Sequence, residues 1–174
     1  MRQRTGWILA AVIACSTPAR GQTFARITDA ANPVVTDALE STGGAWIDVD
    51  GDGDLDLIVP NGNLINQNES LYLNHGGLGF DRVTSGPVVT SGGPSIGTCW
   101  GDYDRDGDLD LALASSVGLS IYRNDSGRLN RLWVNERQAY GVAWGDFLGD
   151  GSLAVVAVGD SADDSPVSQG INYV

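Results

Sequence analysis

The sequence predicts an all-β fold, a partial β-propeller of about two and a half four-stranded blades. Trp46, Trp100 and Trp144 each stand two residues ahead of an Asp, at separations of 54 and then 44 residues. A repeat of that length points to propeller blades or a solenoid. The apolar runs within it are short and β-rich, and Gly, Asn, Asp and Ser punctuate them, which reads as strands joined by tight turns. No stretch beyond the N-terminal leader carries a 3.6-residue apolar period with caps, so helices are not expected. Four short strands in each repeat of about 45 to 55 residues suggest one blade per repeat.

Residues 1–21 read as a secretory leader. Arg2 and Arg4 form a positive start, and Gly6 to Cys15 is apolar but too short to anchor stably across a bilayer. Ala19-Arg20-Gly21 offers small residues at the spacing a signal peptidase needs, so the mature chain is expected to start at Gln22. Val12-Ile13-Ala14-Cys15 loosely resembles a bacterial lipoprotein cleavage box, so lipid anchoring at Cys15 is the rival reading. Either way the protein is expected to be secreted, periplasmic or held at the cell surface, with no transmembrane segment once the leader is gone. Removal of the leader leaves Cys99 as the one remaining cysteine, which rules out an intramolecular disulfide. Next to Trp100 in an apolar context, Cys99 is expected to be a small buried thiol.

Residues 22–174 form the repeat region, with blade-like repeats at about 24–79, 80–128 and 129–174, the last incomplete. Phe24-Ala25-Arg26-Ile27-Thr28 matches Phe80-Asp81-Arg82-Val83-Thr84, each about 20 residues ahead of its Trp. Gly44-Ala45-Trp46-Ile47-Asp48, Thr98-Cys99-Trp100-Gly101-Asp102 and Val142-Ala143-Trp144-Gly145-Asp146 lead into loops. Leu57-Ile58-Val59, Leu111-Ala112-Leu113 and Leu153-Ala154-Val155-Val156-Ala157-Val158 follow them as strands. Leu71-Tyr72-Leu73-Asn74 and Ser120-Ile121-Tyr122-Arg123-Asn124 come next. The recurring Trp residues are expected to pack between blade sheets. A propeller closes with about four to eight blades. Further repeats or another subunit are therefore expected to complete the ring and cover its open edges.

The loops carry the chemistry. Asp48, Asp50, Asp52, Asp54 and Asp56 alternate through the first, and Asp102, Asp104, Asp106, Asp108 and Asp110 through the second. These ten residues belong to 22 acidic residues in a chain of net charge -12, so the acidity is mostly local. Five carboxylates so close repel one another unless a cation sits among them, and an all-oxygen set suits a hard ion, above all calcium. Positions one, three and five let alternate side chains converge, and Gly53 and Gly107 at position six permit a sharp turn. Expected ligands are Asp48, Asp50, Asp52, Asp56 and the Asp54 carbonyl, then Asp102, Asp104, Asp106, Asp110 and the Asp108 carbonyl. The Asp54 and Asp108 side chains are expected to face solvent. An EF-hand would need Glu at position 12, where Val59 and Leu113 stand, and helices on both sides. A dockerin-like reading fails for the same want of helices.

Trp-x-Asp-x-Asp-x-Asp-Gly-Asp-Leu-Asp-Leu, followed by a Leu-Tyr-x-Asn strand and a Gly-x-x-Phe start, resembles FG-GAP/VCBS repeats. Those repeats build the β-propeller of integrin α subunits and of many secreted bacterial proteins, and the resemblance implies calcium loops between two strands of a blade. It covers about Phe24 to Val174. The third loop, Asp146-Phe147-Leu148-Gly149-Asp150-Gly151-Ser152-Leu153-Ala154, departs from the pattern at Leu148 and Ala154. It is expected to keep the turn but to bind calcium weakly or not at all.

These features point to an exported calcium-binding module for adhesion to a protein or glycan. The lack of a basic face argues against nucleic acid. No catalytic constellation is present: His75 is the sole histidine, in a turn, and no nucleophile elbow occurs. The alternatives are a non-catalytic part of a secreted carbohydrate-active or hydrolytic enzyme, or a truncated gene product. Asn68-Glu69-Ser70 and Asn124-Asp125-Ser126 fit the glycosylation sequon, which matters in a eukaryotic secretory pathway.

Overall fold

The computed structural model describes residues 11–12, 25–62, 67–77, 79–90, 93–159 and 169–172. Apart from Ala11–Val12, the leader and its cleavage sites lie outside the described residues. Strands β1 (Ala11–Val12) and β2 (Ala25–Arg26) form a short antiparallel pair. The first large sheet contains β3 (Ala45–Ile47), β4 (Asp56–Val59), β5 (Ser70–Asn74) and β6 (Phe80–Arg82), in that order. The second contains β7 (Ser95–Gly101), β8 (Asp110–Ser115), β9 (Gly118–Asp125) and β10 (Arg128–Asn135), again as neighbours in sequence order. The third holds β11 (Gly141–Gly145), β12 (Ala154–Val158) and β13 (Gln169–Asn172). All pairings are antiparallel. The chain is thus all-β, built of blade-like antiparallel sheets.

The three sheets share one register. Trp46 opposes Leu57, Trp100 opposes Leu111, and Trp144 opposes Val155. Alternation along each strand sends successive residues to opposite faces. Ile58 from the first sheet and Leu111, Leu113 and Tyr122 from the second meet in one buried cluster. Ala112, Ala114 and Ile121, on the other face of the second sheet, meet Val155 of the third. Leu57, Val59, Tyr72 and Phe80 line the remaining face of the first sheet. Full burial of a side chain such as Ile58 or Leu111 contributes about 1.5–3 kcal/mol.

This layering explains the tryptophans. Trp100 packs on the cluster between the first two sheets, and Trp144 on the cluster between the second and third. Trp46 lies on the face of the first sheet turned away from the second; it stays 44% exposed and rests on Phe80 at 6.0 Å between ring centroids. Val156 and Val158 are exposed on the face of the third sheet turned away from the second.

Two single-turn helices were not expected. Helix α1 is Pro33–Thr36 and α2 is Pro87–Thr90. Both read Pro-Val-Val-Thr and keep the spacing of Trp46 and Trp100. Proline presets the first helical position, and the Asn32 side chain caps α1 by accepting from the Val34 N–H at 3.0 Å. Val34 seals the outer face of the first sheet, while Val88 and Val89 join the cluster between the first two.

Cys99 is half-buried rather than buried, and its sulfur accepts from the Trp144 N–H at 3.3 Å. His75 is exposed and pairs with Asp81 at 3.2 Å.

Candidate metal centre

Residues 48–56 join β3 to β4, residues 102–110 join β7 to β8, and residues 146–154 join β11 to β12, so the three loops occupy one end of successive sheets. Each turns twice through the left-handed region. Gly51 and Gly53 have φ of 76° and 92°, Arg105 and Gly107 have 64° and 100°, and Gly149 and Gly151 have 71° and 85°. The glycine at position six was legible in the sequence; the second left-handed residue, at position four, was not. Arg105 holds that conformation against a cost of about 1–2 kcal/mol for a side chain with Cβ.

The first aspartate organises each turn. Asp48 accepts from Gly51 N–H at 2.9 Å and Gly53 N–H at 3.1 Å. Asp102 accepts from Gly107 N–H at 3.1 Å, and Asp146 from Gly149 at 2.7 Å and Gly151 at 2.8 Å. The carboxylate at position five accepts the N–H of position seven in all three loops: Asp52 from Asp54 at 2.8 Å, Asp106 from Asp108 at 2.9 Å, Asp150 from Ser152 at 2.8 Å. The third loop therefore keeps the turn.

Position nine clamps the loop to the sheet. Asp56 is fully buried and accepts from Val49 N–H and Asn74 N–H, both at 2.8 Å. Asp110 is equally buried and accepts from Tyr103 N–H at 3.0 Å and Asn124 N–H at 2.8 Å. The Asn of each Leu-Tyr-x-Asn or Ile-Tyr-x-Asn strand completes the clamp. Asn74 donates to the Leu55 carbonyl at 3.1 Å and Asn124 to the Leu109 carbonyl at 3.2 Å. Asn124 also donates to the Val49 carbonyl at 2.8 Å, which ties the second sheet to the first loop. Its burial removes Asn124 from any glycosylation reading.

Carboxylate oxygens of Asp48, Asp50 and Asp56 lie within 4.8 Å of one another, as do those of Asp102, Asp104 and Asp106. Asp52 falls outside the first group and Asp110 outside the second. Asp54 lies beside the next turn, where a Cβ added at Gly76 would sit 3.5 Å from its carboxylate. Asp108, half-buried, accepts from Ser126 N–H at 2.8 Å and Ser126 Oγ at 3.3 Å, capping the β9–β10 turn.

Electrostatics in both loops favours a cation. Burial, together with the charges of Asp50 and Asp52, raises the Asp56 carboxyl above its ordinary range, against hydrogen bonds from Asn74 and Val49. Asp104 is raised by desolvation and by Asp106 and Asp102. Asp110 is pushed up to about 6 by burial, with Asp104 and Asp106 adding to the effect. Asp102 Oδ1 is buried with no hydrogen-bond partner among the described residues. An unpaired buried carboxylate oxygen is costly, and a hard cation is the partner that its neighbours' chemistry fits. The donors are all oxygen, so the two groups could hold such an ion.

The model of the FG-GAP-like repeat family matches residues 48–113 and 102–157. The two matches together span more than half of the chain. Each begins on the first aspartate of a five-carboxylate loop and ends within the second strand of the following sheet. No curated protein matches the chain.

Proposed function

Because the chain belongs to the FG-GAP-like repeat family, we propose that it is an exported, calcium-stabilised propeller segment that binds a protein or glycan and carries out no catalysis. The observation that carries the metal reading is the pair of convergent carboxylate groups, one of which includes the unpartnered buried Asp102 Oδ1. Asp48, Asp50 and Asp56, which converge, would hold one ion, with Asp52 and the Asp54 carbonyl closing in around it. Asp102, Asp104 and Asp106, which converge, would hold the other, with Asp110 and the Asp108 carbonyl closing in around the ion. Bound calcium supplies positive charge where the carboxylates crowd. The chain's own residues do the rest: the first aspartate fixes the turn, and the ninth anchors it to the neighbouring strand.

Export agrees with the leader-like residues 1–21 and with the want, among the described residues, of a helix long and apolar enough to cross a membrane. The exposed Trp46, Val156 and Val158 suit contact with further blades, from additional repeats or another subunit. The acidic balance suits a partner other than nucleic acid.

Thermal unfolding of the purified protein in calcium and in excess chelator tests the reading. Each site saturated at about 100 times its dissociation constant adds about 2.7 kcal/mol. The melting temperature should rise with calcium, and calorimetric titration should give two ions per chain. An unchanged melting temperature in chelator would sink structural calcium.

A further inference from the structure

The third loop has Leu148 and Ala154 where the other two have acids, yet it forms the same turn. A cation from the neighbouring sheet reaches it. Arg105 occupies position four of the second loop, where the first and third loops have Gly51 and Gly149. Its Nη2 donates to the Asp150 carbonyl at 3.3 Å and to Ser152 Oγ at 3.2 Å. A Cβ added at Gly151 would lie 3.1 Å from that nitrogen and 3.6 Å from Cζ. The guanidinium therefore lies against the Gly151 backbone, in space that a larger residue would take. Its charge also helps hold the Asp150 carboxyl below its ordinary range, after hydrogen bonds from Ser152.

We propose that the third loop is a guanidinium-binding site and that Arg105, carried on the second loop, is its resident cation. The arginine ties the second sheet to the third across their loops, in a place where the missing carboxylates leave little to attract a divalent ion. The backbone supports this assignment. A glycine at position 105 would relieve the left-handed φ of 64°, yet a long side chain stands there and its head is used. The planar guanidinium presents several donors in a fixed fork, which lets one nitrogen serve a carbonyl and a hydroxyl together. Fixing the second loop fixes the base of that side chain, so order in the third loop depends on order in the second. That last step extends to calcium, and there it rests on the metal reading above.

Amide hydrogen exchange in residues 146–152 tests the strap on the full chain. Arg105→Gly suits the backbone and removes the guanidinium; Ser152→Ala removes one acceptor. In chelator, Arg105→Gly should speed exchange in the third loop about fivefold or more, with Ser152→Ala moving it in the same direction by less. Exchange in β4 and β5 should not change, which separates a local effect from unfolding. Unchanged third-loop exchange in Arg105→Gly would overturn the proposal. Repeating the comparison in calcium tests the coupling: calcium should slow third-loop exchange in the parent chain and not in Arg105→Gly. Calcium that slows exchange in neither the second nor the third loop would count against the metal reading and leave the chelator result standing. Equal slowing of the third loop in both proteins would overturn coupling through Arg105.

Discussion

Protons and calcium should compete for the second loop between pH 7 and pH 5. Asp110 titrates at about 6 in the metal-free fold, raised from 3.8 chiefly by burial. At pH 7 about one metal-free loop in ten carries that proton, and at pH 5 about nine in ten. A cation in the loop favours the ionised carboxylate, so binding must expel the proton. The apparent affinity of the second site should fall about tenfold from pH 7 to pH 5 on this account. Stability carries the opposite signature without metal. A carboxyl raised on folding contributes stability that is full below about pH 3.8 and lost as pH rises through about 6. The shift of about two units bounds this loss at roughly 3 kcal/mol. Asp56 and Asp104 are raised in the same direction. Asp125 and Asp150 are lowered, so their effects fall at more acid pH, outside this window. Urea unfolding at pH 4, 5 and 6 should therefore show the chelated protein losing stability as pH rises, while saturating calcium removes or reverses the slope. Calorimetric titrations at pH 7, 6 and 5 give the affinities. A calcium affinity that is flat across that range, or a chelated protein that gains stability from pH 4 to 6, would rule out this competition at Asp110.

Two substitutions probe the clamp and the cross-sheet contact. Asp56→Ala removes the acceptor of two buried N–H groups, Val49 and Asn74; urea unfolding should show a loss of about 2–4 kcal/mol. That loss should persist in chelator, because the hydrogen bonds belong to the protein. Gly127→Ala places a Cβ 2.8 Å from the Asp50 Cβ at a φ of 89°. It should cost about 1–3 kcal/mol and weaken calcium binding at the first loop more than at the second, read by calorimetry.

What could be read from the sequence was whatever repeats locally. The loops, the Trp frame and the strands flanking them follow from spacing and alternation. The assignment of strands to sheets does not. Phe80 opens a repeat in the sequence, yet β6 hydrogen-bonds to β5 and completes the first sheet. Leu129 opens the next repeat, and β10 completes the second sheet in the same way. A periodic sequence has no marked origin, so periodicity cannot say which side of a repeat boundary a strand pairs with. The helices were hidden because one turn is too short to display a helical period; the repeated Pro-Val-Val-Thr was the available signal. Arg105, Ser126 and the second role of Asn124 depend on neighbouring sheets and turns that only packing brings together. The sequon at Asn124 shows the same limit from the other direction, since a local motif carries no knowledge of burial.

The contacts between sheets make the two interfaces unequal. The first and second sheets are joined at both ends of their strands. At the loop end, Asn124 reaches the Val49 carbonyl. At the other end the Ser95 hydroxyl donates to the buried Glu69 carboxylate, and Thr42 Oγ1 donates to the Ser95 carbonyl at 2.7 Å. Between those ends lie large side chains, Leu111, Leu113 and Tyr122 against Ile58 and Leu71. Toward the third sheet the second turns Ala112 and Ala114 together with Leu119 and Ile121, which meet Val155. Tyr103 stacked on Trp144 at 5.7 Å, the Cys99 sulfur on the Trp144 N–H, and the Arg105 strap add to this second interface. Two of those three contacts depend on residues in the second Asp-rich loop. The side-chain cluster between the second and third sheets is thus supplemented by contacts from the second loop, and loss of order in that loop should loosen the second interface before the first.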